Sequence, residues 1–223
     1  MNIFKILLIT AIMLASYQAK AGFITTNESD LDTIFSQSSF GSMPIDIRIG
    51  LASELVLPDF LDITTDAEVN QLFDMHIGGV NVVNFYFIDT ISACGGLINV
   101  NYVGCGEYFG NDFVVESSFA AGSLGGELLA HELSHNLGLD HRSGGLMNPS
   151  LNNDTTLNSA EVASIRSSAL VQTDGQNFWI DINPVLIVAS ASQPLPVPEP
   201  STLILFILSF TFLIKNAVKR NNK

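Results

Sequence analysis

Between Pro44 and Leu51 apolar and polar positions alternate: Ile45, Ile47, Ile49 and Leu51 stand against Asp46, Arg48 and Gly50. A period of two predicts a strand with one buried face. Asp30 to Phe35 places Leu31, Ile34 and Phe35 on one side of a short helix. Thr65 and Glu68 form a capping box that opens a helix to Met75, with Val69, Leu72 and Phe73 inward. Asn81 to Ile88 is a dense β-forming run (Val82, Val83, Phe85, Tyr86, Phe87) and predicts a central strand. Asp112 to Glu116 predicts another. From Leu124 to Leu137 apolar residues surround most of the helical circumference, as in a buried helix. Asn158 caps a last helix reaching Leu170, with Glu161 three positions on. Phe178 to Val188 is β-like, but its pattern gives it no place in a sheet. The resulting class is α+β, a mixed α/β sheet domain with a central helix.

Charge changes the picture at the ends. All 22 acidic residues fall between Glu28 and Glu199, where Arg48, Arg142 and Arg166 are the basic residues. That acidic domain excludes a nucleic-acid binder, which needs a basic patch. Residues 1–21 read as a signal peptide: Lys5, an apolar run from Ile6 to Ala15, and the cleavage site Ala19-Lys20-Ala21. Signal peptidase is thus an expected partner. A linker over 190–200 leads to a short apolar run, 201–214, and a basic tail, 215–223, with Lys215, Lys219, Arg220 and Lys223. The run is expected to enter the membrane with its basic end cytoplasmic. Cys94 and Cys105 fall in the exported part, 22–189, where one disulfide is expected and two free thiols are the alternative.

The chemistry lies in the buried helix. His131 and His135 are four apart, so both rings lie on one helix face and can meet one metal. Glu132 projects beside that metal, where it can hold a water. Gly138 is expected to take a positive φ and turn the chain so that His141 returns to the same point. Three imidazoles with one open position describe a catalytic zinc site; a structural site would be closed by a fourth ligand. Asp140 and Glu127 are expected to be solvated, with contacts to the histidines as the alternative. Asn111-Asp112 and Asn152-Asn153-Asp154 are expected to be turns; a Ca2+ site there is the alternative.

His131-Glu132-x-x-His135-x-x-Gly138-x-x-His141, followed by Gly144-Gly145-Leu146-Met147-Asn148-Pro149, resembles the metzincin zinc metallopeptidases, and within them the reprolysin-like and matrixin-like members. The resemblance implies a twisted, mostly parallel sheet, a central zinc-binding helix, and a small C-terminal subdomain with a Met-turn and a final helix. It implies one Zn2+ held by His131, His135 and His141, with Glu132 as general base and Met147 as an apolar floor. A protein or peptide substrate would lie along an edge strand near Phe113, Val115 and Ser117, with Asn148 and Pro149 walling the pocket. Separately, Val197-Pro198-Glu199-Pro200 before the apolar run and basic end resembles the PEP-CTERM sorting signal of Gram-negative bacteria. That resemblance implies handling by an exosortase and a place in the periplasm, on the cell surface or in the extracellular matrix; a plain membrane anchor is the alternative. The expected function is an exported zinc endopeptidase. The alternative is a non-catalytic surface or matrix protein on the same scaffold.

Overall fold

The computed structural model describes residues 24–190. The expected signal peptide, Pro-Glu-Pro segment, apolar run (201–214) and basic tail lie outside these residues. Among the described residues no helix is long and apolar enough to cross a membrane.

The chain runs α1 (Glu28–Phe35), β1 (Ile45–Ile49), β2 (Ser53–Val56), β3 (Asp62–Ile63), α2 (Asp66–Phe73), β4 (Val82–Ile88), β5 (Thr90–Ile91), β6 (Ala93–Cys94), β7 (Leu97–Ile98), β8 (Gly104–Gly106), β9 (Asp112–Glu116), α3 (Ser117–Ala120), α4 (Gly125–Asn136), α5 (Ser159–Ser167), β10 (Gln172–Thr173) and β11 (Phe178–Val188). The fold is mixed α/β around a seven-stranded sheet of order β1-β11-β4-β9-β8, with β2 and β10 also paired to β11. The β1–β11, β2–β11, β4–β11 and β4–β9 pairs are parallel. Within this sheet only β8 and β10 run antiparallel to their neighbours; β6 and β7 form a separate antiparallel pair.

The segment that pattern alone could not place, Phe178–Val188, is the spine of this sheet. It lies between β4 on one side and β1 and β2 on the other. Its one proline sits where the ladder is broken. The carbonyls of Ile182 and Val188 accept from Gly50 and Leu57, so even-numbered residues face the β1–β2 side. Pro184 faces the same way, opposite the gap between β1 and β2, where its missing N–H costs no ladder bond.

Strand β4 is buried on both faces, which is why its sequence is apolar at every position but Asn84. Phe85 and Phe87 pack with α1, α4 and α5 in the main core, through Leu31, Leu128, Leu129, Leu133 and Ile165. Tyr86 and Ile88 face the other way, onto Val69, Leu72 and Phe73 of α2. Both expected capping boxes form, Thr65 with Glu68 and Asn158 with Glu161. The last helix stops at Ser167, short of Leu170, because Ser168 turns to extended backbone. In β1 the alternation ends at Ile49, and Leu51 is exposed beyond it.

One expectation is corrected. Phe113 and Val115 do not lie on an edge strand: β9 is internal, between β4 and β8, and both side chains are fully buried in the main core. Ser117 is buried as well, as the first residue of α3. The edge belongs to β8, whose Gly104-Cys105-Gly106 has too little side chain to register as a strand in the sequence pattern.

A candidate three-histidine metal centre

Helix α4 is buried along nearly its whole length and carries His131, Glu132 and His135. Its N-terminal Gly125-Gly126 lets other elements approach closely. A Cβ on Gly126 would lie 2.5 Å from Cβ of Asp30 in α1. The helix ends as the sequence predicts: Gly138 has φ 85°, and a Cβ there would also collide with the ring of Phe109. This turn does two things. It sends the chain back to His141, and it presents the Leu139 carbonyl to Nδ1 of His135 at 2.8 Å.

His131 is held in the same manner, its Nδ1 lying 2.7 Å from the Leu146 carbonyl. A carbonyl only accepts, so in both rings the proton is on Nδ1 and the Nε2 lone pair is bare. The three Nε2 atoms of His131, His135 and His141 converge, at 3.1 Å for 131–141 and 3.2 Å for 131–135 and for 135–141. Bare lone pairs at that spacing repel unless a cation lies among them. A tetrahedral centre with bonds of 2.0–2.1 Å holds its ligand nitrogens about 3.3 Å apart, so the donor set fits a metal ion. Burial, helped by the neighbouring imidazoles, lowers the pKa of His131 to about 4 and also lowers that of His135, so both are neutral and ready to ligate. Among the described residues these three histidines form the group able to hold a metal ion. The kind of metal is not set by this geometry.

Glu132 lies under the edge strand. Burial raises its carboxyl to about 8, partly offset by a hydrogen bond from the Gly106 backbone. A Cβ on Gly104 would stand 2.5 Å from its Oε1; one on Gly106 would stand 2.7 Å from its backbone oxygen. The alternating glycines of β8 are therefore what allow the strand to pass over the carboxylate. Cys105, between them, points to the opposite face and is bonded to Cys94, the expected disulfide.

The histidines and Glu132 open into a cleft of about 960 Å³, and Asn148 and Pro149 are among the residues that line it. Met147 is fully buried in the main core, beside the Leu146 that orients His131. Glu127, expected to be solvated, is buried instead. Its two oxygens accept from the N–H groups of Asn152 and Asn153 at 2.8 Å, pinning the segment after Met147 to α4. Asp140 accepts from its neighbour His141 N–H. Asp154 accepts from Gly145 and Thr156, and Asp112, which opens β9 and is not in a turn, faces His76 at 3.0 Å, so both acidic groups are occupied by hydrogen bonds. His76, the fourth histidine, thus belongs to a separate polar cluster with Asn84 and Asp112.

No protein-family model, no curated protein and no solved structure matches this chain.

Proposed function

We propose that the protein is a zinc-dependent endopeptidase of metzincin type, exported by the N-terminal signal and sorted by its C-terminal tail. The observation that carries this reading is the convergence of three Nε2 atoms, those of His131 and His135 bare, with a buried carboxylate in one open cleft. A buried carboxylate beside three converging imidazoles is placed to exchange a proton with an attacking water, which a structural metal site has no use for. Zinc, when bound, lowers the pKa of a coordinated water towards 7 and polarises a carbonyl oxygen.

The chain's own groups do the rest. Nδ1–H bonds to Leu146 and Leu139 fix the two helix imidazoles in the ligating tautomer. A Glu132 carboxylate oxygen takes the proton of the attacking water and passes it to the departing amine nitrogen. An extended peptide fits along β8, the sheet's edge strand, whose Gly104 and Gly106 line the cleft and leave backbone to pair with. Asn148 and Pro149 also line the cleft, and Glu127 pins the Asn152–Asn153 segment that follows them to α4.

Glu132→Ala tests the reading against a non-catalytic scaffold. The variant should retain about one zinc per chain by elemental analysis and lose hydrolysis of quenched fluorogenic peptides. Full peptidase activity in Glu132→Ala, or no hydrolysis by the zinc-loaded parent, would overturn it.

A further inference from the structure

The cleft is larger than the metal centre needs, and one part of it has a separate chemistry. Besides the metal centre its lining includes Leu97, Val100, Tyr102 and Phe119, together with Glu116, and this part of the cleft is called the chamber. Glu116 closes β9, and its N–H donates to the Val103 carbonyl, so its backbone is fixed in the sheet. Its Oε1 accepts from the Ile91 N–H at 3.0 Å. No partner for Oε2 is found among the described residues.

The charge around it is one-sided. The cleft is lined by Glu116, Glu132 and Asp140, and by no lysine or arginine. The three arginines of the described residues are committed elsewhere: Arg48 to Asp46, Arg142 to Glu161, and Arg166 to the carbonyls of Phe40 and Met43. No lysine lies between Lys20 and Lys215. A half-buried carboxylate without a cation is costly, and an incoming cation relieves that cost. The walls suit the rest of such a side chain: aliphatic and aromatic surface packs the methylene stem of lysine or arginine while the charged head reaches the acid.

We infer that Glu116 is a specificity-determining residue, and that this chamber receives a lysine or arginine side chain of the bound peptide. The inference rests on the peptidase reading for the meaning of the cleft, but its test does not depend on turnover.

The experiment uses the full chain loaded with zinc, and a pair of peptides that differ at one residue, lysine against norleucine, scanned through the positions around an alanine-rich centre. Binding is measured by fluorescence anisotropy on Glu132→Ala, with and without Glu116→Gln. Turnover is measured with Glu132 intact. Glu116→Gln keeps the acceptor for Ile91 N–H and removes only the charge. At one position lysine should be preferred over norleucine by about tenfold, in line with a charge-assisted hydrogen bond, and Glu116→Gln should abolish that preference while leaving norleucine peptides unchanged. Binding that prefers lysine without any turnover would uphold the chamber and sink the peptidase. Turnover with no preference at any position would sink the chamber and leave the peptidase standing. An equal loss for both peptides in Glu116→Gln would reduce Glu116 to a prop for the Ile91 backbone and overturn the inference.

Discussion

The glycine at position 104 offers a test of how the edge strand and the Glu132 carboxylate depend on one another. Gly104 has an ordinary negative φ, so alanine costs nothing through the backbone. The cost lies in the contact: an added Cβ would be 2.5 Å from Oε1 of Glu132 and 2.9 Å from both Cδ and Cγ. Relief needs a shift approaching 1 Å, and the carboxylate has little room. Its other oxygen is already near Gly106, and the helix beneath it is buried. Gly104→Ala should therefore turn Glu132 away from its position or lift β8 off α4. Overpacking of this kind costs about 1–3 kcal/mol. In a domain of this size each kcal/mol lowers Tm by about 2–4 °C. Misplacing the proton-transfer group should lower kcat by about 100-fold or more, with KM less affected. The histidines are not touched, so zinc content should be unchanged.

The assay pairs kcat and KM on a fluorogenic peptide with elemental analysis and thermal melting. A double-mutant cycle makes it independent of activity. In Glu132→Ala the space opposite Gly104 is open, so Gly104→Ala should lose most of its stability penalty in that background, a coupling of about 1 kcal/mol or more. Wild-type kcat in Gly104→Ala, or the same penalty with and without the Glu132 side chain, would refute the idea that the glycine exists to admit the carboxylate. Loss of zinc would show that the disturbance reaches the ligands and would refute the local account.

Zinc at 100 times its Kd should stabilise the fold by about 2.7 kcal/mol, a Tm rise of about 5–10 °C, and His135→Ala should abolish that rise. In the metal-free protein, Glu132 is raised from 4.5 to about 8, so the folded state holds a proton that the unfolded chain has released, and this contribution to stability is lost as pH rises towards 8. His131, lowered from 6.5 to about 4, acts in the other direction, its contribution being lost as pH falls below 6.5. Of the two, only Glu132 acts between pH 6.5 and 8; denaturant midpoints in chelator should fall over that interval, and a slope unchanged in Glu132→Gln would contradict the assignment. Reduction of Cys94–Cys105, separated by 11 positions, should cost about 2–3 kcal/mol and raise hydrogen exchange in β6 and β8, as read by mass spectrometry; unchanged exchange there would show that the bond does not brace the edge strand.

What the sequence makes legible here follows from range. The candidate ligands His131 and His135, the proposed base Glu132 and the turn at Gly138 are set by helical periodicity and by one backbone angle, both local. Their convergence with His141 follows from a turn of a few residues. The capping boxes at Thr65 and Asn158 are local for the same reason. The position of Phe178–Val188 is not local. Three of its partners, β1, β2 and β4, come from the first half of the chain, and no periodicity within eleven residues encodes which strands will flank it.

The identity of the edge strand is an intermediate case, and it bears most on function. Reading chain order as spatial order makes Phe113–Ser117 the edge, yet Phe113-Val114-Val115 is apolar at successive positions, which is the mark of a strand covered on both faces. Gly104 and Gly106 carry the complementary signal. Two glycines at i and i+2 lie on the same face of any strand they form, and a strand with one bare face has another backbone or a functional group pressed against it. What presses here is Glu132, its side chain and its backbone carbonyl in α4. The same tripeptide, read for β-propensity, is a turn. Read for what it leaves out, it marks the place where the sheet meets the chemistry.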